Sequence, residues 1–314
     1  MQNAAIVYLT RYHDLWEFIP SLKLLYKNFN TKYDYPVIVF HDDLTPTVVS
    51  AILLEMNAYL GRVPNIKFER MTLDVPSWVS LDPAKYVHPE GHPISLQNFS
   101  MGYRVMCRFF AGTIVNHPAL KDYRYYMRVD SDSYLLSHIQ VDPFDYMAQG
   151  GYHYTDCAFP LLPIDDSHTW EYAGKEISWA REGLWETTQE FINTRSHDIK
   201  SPPATYDGEL YNSNMIVVDM DFFRSKNYQD YFEHLDRTGN LFYRRWGDHC
   251  IQWLGLRLFS EPSKILCGMN VMKFCYQHGS LIIGLEYADA ESVELLPEIF
   301  KKMVHESKTG TECI

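Results

Sequence analysis

Apolar residues in this chain come in short runs separated by helical repeats, and the order of the two patterns suggests an architecture. Residues 4–10 are a short apolar run of the kind a strand buried on both faces shows. Over residues 16–29 the apolar positions Ile19, Leu22, Leu25, Tyr26 and Phe29 recur at helical spacing, and residues 35–40 form a second β-prone run. Strand, helix, strand predicts parallel pairing through a right-handed crossover. Ligands of such sheets gather beyond the carboxyl ends of the strands. Arg11 follows the first run directly and His41-Asp42-Asp43 the second, so Arg11 is either a contact for a phosphate or base carbonyl or a solvated loop arginine.

The same reading carries on along the chain. A helix is predicted over 46–60, with Val48, Ile52, Leu53 and Met56 on one face, then a third strand at Ile66-Lys67-Phe68. Residues 76–93 have no period and read as loop. Residues 102–115 read as one helix carrying Tyr103, Met106, Cys107, Phe109 and Phe110, with Arg104 and Arg108 a turn apart on one face. A short helix or turn at 142–147, a strand around 150–154 and helix-prone segments within 170–192 follow. Ser201-Pro202-Pro203 breaks the pattern without dividing domains. Residues 215–218 form a strand. Tyr228, Tyr231, Phe232 and Leu235 then give an amphipathic helix stopped by Gly239, and a further helix carries Ile251, Leu254 and Leu258. Asp248 stands near the start of that last helix, as its cap or as a catalytic or acceptor-binding acid. His278 sits beside Gly279 in a predicted loop. The whole is an α/β chain with a mostly parallel sheet.

The stretch with the most chemistry is Tyr125-Tyr126-Met127-Arg128-Val129-Asp130-Ser131-Asp132-Ser133. If the backbone stays extended through it, Asp130 and Asp132 leave the same face and converge. Two carboxylates there call for a cation, and Mg²⁺ or Mn²⁺ would take oxygen ligands and complete its shell with substrate phosphates. Taken alone, the tripeptide fits better a strand that ends in an Asx or Ser turn, since such triplets are frequent by accident. A further metal partner could come from His278, since imidazole suits Mn²⁺.

Composition narrows the classes. A chain of 314 residues, 46% hydrophobic, can bury a large core, and 23 Tyr, 17 Phe and 7 Trp suit either a Tyr-rich core or sugar stacking. A formal charge of −12 argues against nucleic acid or an anionic membrane as the main partner. Six cysteines without a CxxC pair make a zinc cluster unexpected and leave disulfides open. No apolar run reaches transmembrane length and the start lacks a signal peptide, so a soluble, cytoplasmic chain is expected.

Several stretches together resemble one family, the fungal α-1,2-mannosyltransferases of the Kre2/Mnt1 type (glycosyltransferase family 15). They are residues 21–43, Met106-Cys107-Arg108-Phe109-Phe110-Ala111-Gly112 with His117-Pro118, Tyr126 through Asp132, Asp142-Pro143-Phe144, Asp219-Met220-Asp221-Phe222-Phe223-Arg224-Ser225, and Arg245-Trp246-Gly247-Asp248. The resemblance implies a single GT-A domain over 1–314, with a nucleotide-binding half at about 1–135 and an acceptor-binding half at 136–314. It also implies Mn²⁺ (or Mg²⁺) and GDP-mannose, and transfer to a saccharide with retention of configuration. By the same resemblance Asp130 and Asp132 stand for the family's acidic metal motif, His278 for its metal histidine, Tyr103 for its active-site tyrosine, Arg11 for an arginine near the nucleotide, and Asp248 for an acid near the acceptor. It further implies the Golgi lumen as the alternative compartment if an N-terminal anchor was removed.

One departure stands out. Where the family carries a glutamate proposed as nucleophile, this chain reads Ser213-Asn214-Met215-Ile216. Ile216 cannot attack, so Asn214, Asp219 or Glu209 would have to stabilise the sugar, or the leaving diphosphate would assist a same-face displacement, or the donor has changed to another nucleotide sugar such as a UDP-sugar. Two other classes remain: a phosphoester hydrolase, disfavoured by the scattered histidines, and a non-catalytic nucleotide- or carbohydrate-binding domain.

Overall fold

The computed structural model describes residues 2–72, 74–86, 100–156, 175–176, 178–195, 199–200, 202–267, 272–279 and 281–309. Among them, seven strands form one sheet in the order β3-β2-β1-β4-β7-β6-β8, and three form a second in the order β10-β9-β5. The first sheet contains β1 (Ala4–Leu9), β2 (Val37–His41), β3 (Ile66–Arg70), β4 (Tyr125–Val129), β6 (Tyr154–Asp156), β7 (Met215–Asp219) and β8 (Ile265–Cys267). The second contains β5 (Ser133–Leu135), β9 (Tyr276–His278) and β10 (Leu281–Ile283).

Strands β2, β4 and β7 are buried at every position, as their unbroken apolar runs demand, because helices cover both faces of the sheet. Alternate residues of β4 and β7 feed separate cores: Tyr126, Ile216 and Val218 lie on one side, Met127, Met215 and Val217 on the other. The predicted β-α-β start is present, with β1 and β2 parallel and α1 (Leu15–Leu25) between them.

One strand reverses the sheet's direction. β7 runs antiparallel to both β4 and β6, so it begins at the edge where β4 ends. Val129 of β4 pairs with Met215 of β7, which brings Asn214 beside Asp130.

The helix predicted over 46–60 is α2 (Pro46–Leu60), capped by Thr45. The helix expected across 102–115 is instead α3 (Met101–Arg108), followed by a wider π turn at Phe109–Thr113 and a 3₁₀ turn at Ile114–Asn116. Gly112 explains the tight packing there, since a Cβ would collide with the Phe232 ring. Residues 142–147 begin α4 (Pro143–Gly150), capped by Asp142, so Gly150 is helical and the strand waits until Tyr154. Residues 170–174 of the helix-prone stretch lie outside the described residues, and its helical part is α5 (Leu184–Thr194). The amphipathic helix is α6 (Lys226–Arg237), with Gly239 at φ 75° just beyond it. The last predicted helix is α7 (Asp248–Phe259). The region read as loop at 76–93 is described to residue 86, with a 3₁₀ turn at Pro83–Lys85.

Cys107, Cys250 and Cys275 are buried free thiols, while the side chains of the other three cysteines lie outside the described residues. Among the described residues no helix is long and apolar enough to cross a membrane.

Candidate functional site

Asp130 and Asp132 are linked through Asn214 and His278 rather than by an extended backbone. The chain leaves β4 at Val129 and turns at once: the Ser133 amide donates to the Asp130 carbonyl at 3.0 Å, so the backbone is not extended through 129–133. The turn reading of this tripeptide is therefore present in the structure. After the turn, β5 pairs antiparallel with β9, register Ser133 to His278. His278 is thus on a strand rather than in the predicted loop, and strand pairing aims it at the turn.

Four side chains meet there. Nδ1 of His278 lies 3.2 Å from Oδ1 of Asp132. Nδ2 of Asn214 donates to Oδ2 of Asp130 at 3.1 Å and lies 3.0 Å from Nε2 of His278. An amide nitrogen only donates, so Nε2 accepts and the imidazole proton sits on Nδ1, shared with Asp132. Burial pushes the Asp130 carboxyl up, Arg128 pulls it partly back, and the neighbouring Asp132 charge adds to the rise. For Asp132 burial also favours the neutral acid, but the hydrogen bond and charge of His278 outweigh it and hold the carboxyl below its ordinary value.

Arg128 organises the other half of the site. Its Nε donates to Oδ1 of Asp130 and its Nη1 to Oδ2 of Asp248, both at 2.7 Å. The guanidinium carbon sits 3.7 Å from the centre of the Phe110 ring, and Nη2 reaches Sδ of Met106 at 3.8 Å. Burial works against the charge of Arg128, and the two carboxylates more than restore it. Sequence reasoning passed over this residue, although period-two alternation along β4 puts it on the same face as Asp130.

Asp248 is the first residue of α7, but the cap position belongs to Gly247 and no side chain caps the helix. The capping reading therefore gives way: the Asp248 carboxylate is buried and committed to Arg128. Tyr103 lies on α3 one turn ahead of Met106, half-buried, and its hydroxyl oxygen accepts a hydrogen bond from Nη2 of Arg245 at 3.1 Å. Arg11 stands past the end of β1, the parallel neighbour of β4; it is exposed and pairs with Asp14 at 3.0 Å.

The substitutes considered for the missing glutamate separate clearly. Ile216 is fully buried, opposite Arg128 in the β4–β7 register and within the apolar core. Asp219 is at the far end of β7, opposite Tyr125, where it pairs with Arg124 and caps the next short helix. Glu209 accepts from the Asp207 amide in its own loop. Only Asn214 of the three stands beside Asp130. A further acid went unnoticed in the sequence: Glu17 on α1 has its carboxyl pushed up to about 7, first by burial and then by the charge of Asp132.

Two carboxylates and an imidazole suit Mn²⁺ by donor chemistry, and Asp132 and His278 are already in contact. The set is loose, however. Among the described residues the three potential ligands whose atoms all lie within 4.8 Å of one another are Glu176, His249 and Cys250, and Asp130 is paired with Arg128. The rim residues fit a divalent ion in kind; Asp130, Asp132 and His278 would hold it.

The mostly parallel sheet with one reversed strand is a GT-A fold, and an acid-bearing turn stands at its carboxyl edge facing a histidine. The profile of the family described as glycolipid 2-alpha-mannosyltransferase matches residues 1–282, and the chain belongs to that family. It is 29% identical over 282 residues to the O-glycoside alpha-1,2-mannosyltransferase homolog 2 of Schizosaccharomyces pombe, covering 84% of this chain and 70% of that protein. It is 31% identical over 279 residues to the alpha-1,2 mannosyltransferase KTR1 of Saccharomyces cerevisiae, covering 84% and 66%. The chain thus spans about two thirds of the length of these relatives. In fold it is similar to core-mannan synthase A (CmsA/Ktr4) from Aspergillus fumigatus in its Mn/GDP form, with TM-score 0.74, 23% identity and coverage of 99% and 86%. Ktr4p from S. cerevisiae in complex with GDP also has TM-score 0.74, at 18% identity and coverage of 96% and 81%.

Proposed function

We propose that this chain transfers mannose from GDP-mannose to a saccharide hydroxyl in a Mn²⁺-dependent reaction, as one catalytic domain. The observation that carries the reading is the run of contacts from Asp130 through Asn214 and His278 to Asp132, gathered at the sheet's carboxyl edge by the ends of β4, β7 and β9. Membership of a mannosyltransferase family supports the sugar, and the Mn and GDP of a structural neighbour support metal and nucleotide.

The bound ion would stabilise charge building on the departing diphosphate. The protein's own part is positioning. Arg128 holds Asp130 and Asp248 in place, and Asp248 works through that pair rather than as an open base, since its carboxylate is buried and committed to the guanidinium. Arg11 lies at the edge where a nucleotide would enter, and Tyr103 faces the sugar in this reading. With an isoleucine opposite Arg128, no covalent sugar intermediate forms at that position. A same-face displacement fits: the acceptor hydroxyl attacks as the bond from sugar to diphosphate breaks, and its proton passes to the departing oxygen, with retention.

Ile216 also favours a second reading, donor binding without transfer. Purified protein, Mn²⁺, a panel of GDP- and UDP-sugars and saccharide acceptors, analysed by nuclear magnetic resonance, separates the two. An α-mannoside from GDP-mannose is expected. Binding without product would leave a non-catalytic domain, and turnover of a UDP-sugar alone would reassign the donor.

A further inference from the structure

The small sheet that follows the acid-bearing turn is tied to the main sheet by a line of hydrogen bonds. β5 is its outer strand: β9 pairs with one edge, and among the described residues no strand pairs with the other. Backbone carbonyls on such an edge need partners. The first helix and the turn after it supply them. Oγ of Ser21, on α1, donates to the Ser133 carbonyl, and Nδ2 of Asn28, in the π turn Tyr26–Asn30, donates to the Leu135 carbonyl at 2.6 Å.

Ser21 is held in turn from the main sheet. The Tyr8 hydroxyl, on β1, lies 3.1 Å from Oγ of Ser21, and Tyr8, Ser21 and Ser133 are all fully buried. A serine hydroxyl has one proton, and the Ser133 carbonyl takes it, so Tyr8 is the donor to Ser21. Burial raises the pKa of the Tyr8 phenol, which therefore keeps the proton it donates. The line runs in one direction, Tyr8 to Ser21 to Ser133, and each bond polarises the next.

Ser133 is where this line meets the site. It follows Asp132 directly, and its amide closes the turn on the Asp130 carbonyl at 3.0 Å. Its hydroxyl lies 2.8 Å from that of Tyr276 and 3.4 Å from Nδ1 of His278. A displaced Ser133 would carry Asp132 with it, relative both to Asp130 and to the histidine opposite.

We propose that Tyr8 and Ser21 are positioning residues for the metal turn: by fixing the Ser133 carbonyl they hold Asp132 at the place where it and His278 take the cation. Both act through the Ser133 backbone. Groups that orient metal ligands from behind commonly govern affinity for the ion as strongly as this requires. The proposal rests on the reading of Asp130, Asp132 and His278 as a metal site.

The test has two arms. Ser133-Tyr134 is the one Ser-Tyr pair in the sequence, so a chain made by cell-free synthesis with carbonyl-¹³C serine and ¹⁵N tyrosine gives a single carbon–nitrogen correlation, which reports on the Ser133 carbonyl. Ser21→Ala should move that signal, and Tyr8→Phe should move it in the same direction by less. An unchanged signal in Ser21→Ala would overturn the proposal whatever the chain binds. In the second arm Mn²⁺ binding in the presence of GDP is followed by the paramagnetic resonance of the free ion. Ser21→Ala should weaken Mn²⁺ binding by about 10-fold, and Tyr8→Phe by less, while GDP affinity without Mn²⁺ moves less than about twofold. Tyr8→Phe, which keeps the ring, serves in both arms if Ser21→Ala does not fold. Equal losses with and without Mn²⁺ would reduce the line to a cover for a strand edge and overturn the proposal. No Mn²⁺ binding by the parent chain would overturn the metal reading and the proposal with it, whereas binding that Ser21→Ala leaves intact would overturn the proposal alone.

Discussion

Arg128 and Asp248 are a fully buried ion pair, 2.7 Å apart, formed by residues 120 positions apart in the chain, and the same guanidinium holds Asp130 of the candidate metal turn. One arginine on β4 thus ties the start of α7 to the acid at the sheet's edge. Neither side chain has water to fall back on.

Removing only one member should therefore be costly. Arg128→Met leaves Asp248 buried and unpaired, and a loss of about 3–5 kcal/mol is expected. The double variant Arg128→Met/Asp248→Leu should be less damaging than Arg128→Met alone, because Asp130 retains some access to water. Urea denaturation at pH 7 checks this, and a double variant at least as unstable as the two single losses combined would sink it.

The rim set should bind nucleotide in a metal-dependent way. Calorimetry with GDP is expected to show tighter binding with Mn²⁺ than without, and Asp132→Ala and His278→Ala to abolish that increment. Asn214→Ala, which removes a supporting amide, should weaken Mn²⁺ binding by about 10-fold. Mn²⁺-dependent GDP binding that survives in Asp132→Ala would remove the turn from the account.

Ile216 is a fully buried core residue opposite Arg128. Ile216→Val should cost about 0.5–1.5 kcal/mol of stability while leaving kcat within about threefold and the anomeric outcome unchanged. A change in product stereochemistry or a loss of transfer far larger than this would mean that the side chain shapes the reaction directly.

Away from the site, Asp289 caps the short helix Ala290–Glu294 and meets Lys27 of the π turn after α1. The hydrogen bond from Lys27 above all, with further bonds from Ser292, lowers its carboxyl from 3.8 to about 2, against a smaller opposing effect of burial. A lowered pKa means that the folded state holds the proton less tightly than the unfolded chain does. The stabilisation is then complete above about pH 4 and fades as the pH falls toward 2. Asp289→Asn should lower the melting temperature at neutral pH, consistent with about 1 kcal/mol for a lost cap, and flatten the melting-temperature profile between pH 4 and 2. A variant whose acid limb keeps the parental slope would refute the assignment.

Much of the architecture was legible in residue order. The apolar runs of β1, β2, β4 and β7 and the i, i+3, i+4, i+7 spacing of Tyr228, Tyr231, Phe232 and Leu235 report burial that each element must find wherever it packs. The acids of the turn, the histidine and the family resemblance were legible too, because their residue types already state a chemistry. Where local reading went astray, a partner distant in sequence was responsible. His278 belongs to a strand because Ser133 pairs with it. Asp248 caps nothing because Arg128 takes its carboxylate. Asp219 is no neighbour of Asp130 because β7 runs backwards, which carries its far end away from the edge.

What the amino-acid order determined by itself, then, is the inventory: which segments are strands or helices, and which side chains can take a proton, a cation or a sugar. Only the tertiary structure decided the pairings, including the meeting of Asp130, Asn214 and His278 and the ion pair of Glu176 with Arg245. The physical reason is range. Periodicity reflects contacts within a few residues, whereas strand direction and the choice of a buried charge's partner are settled by packing between segments from 64 to 120 positions apart.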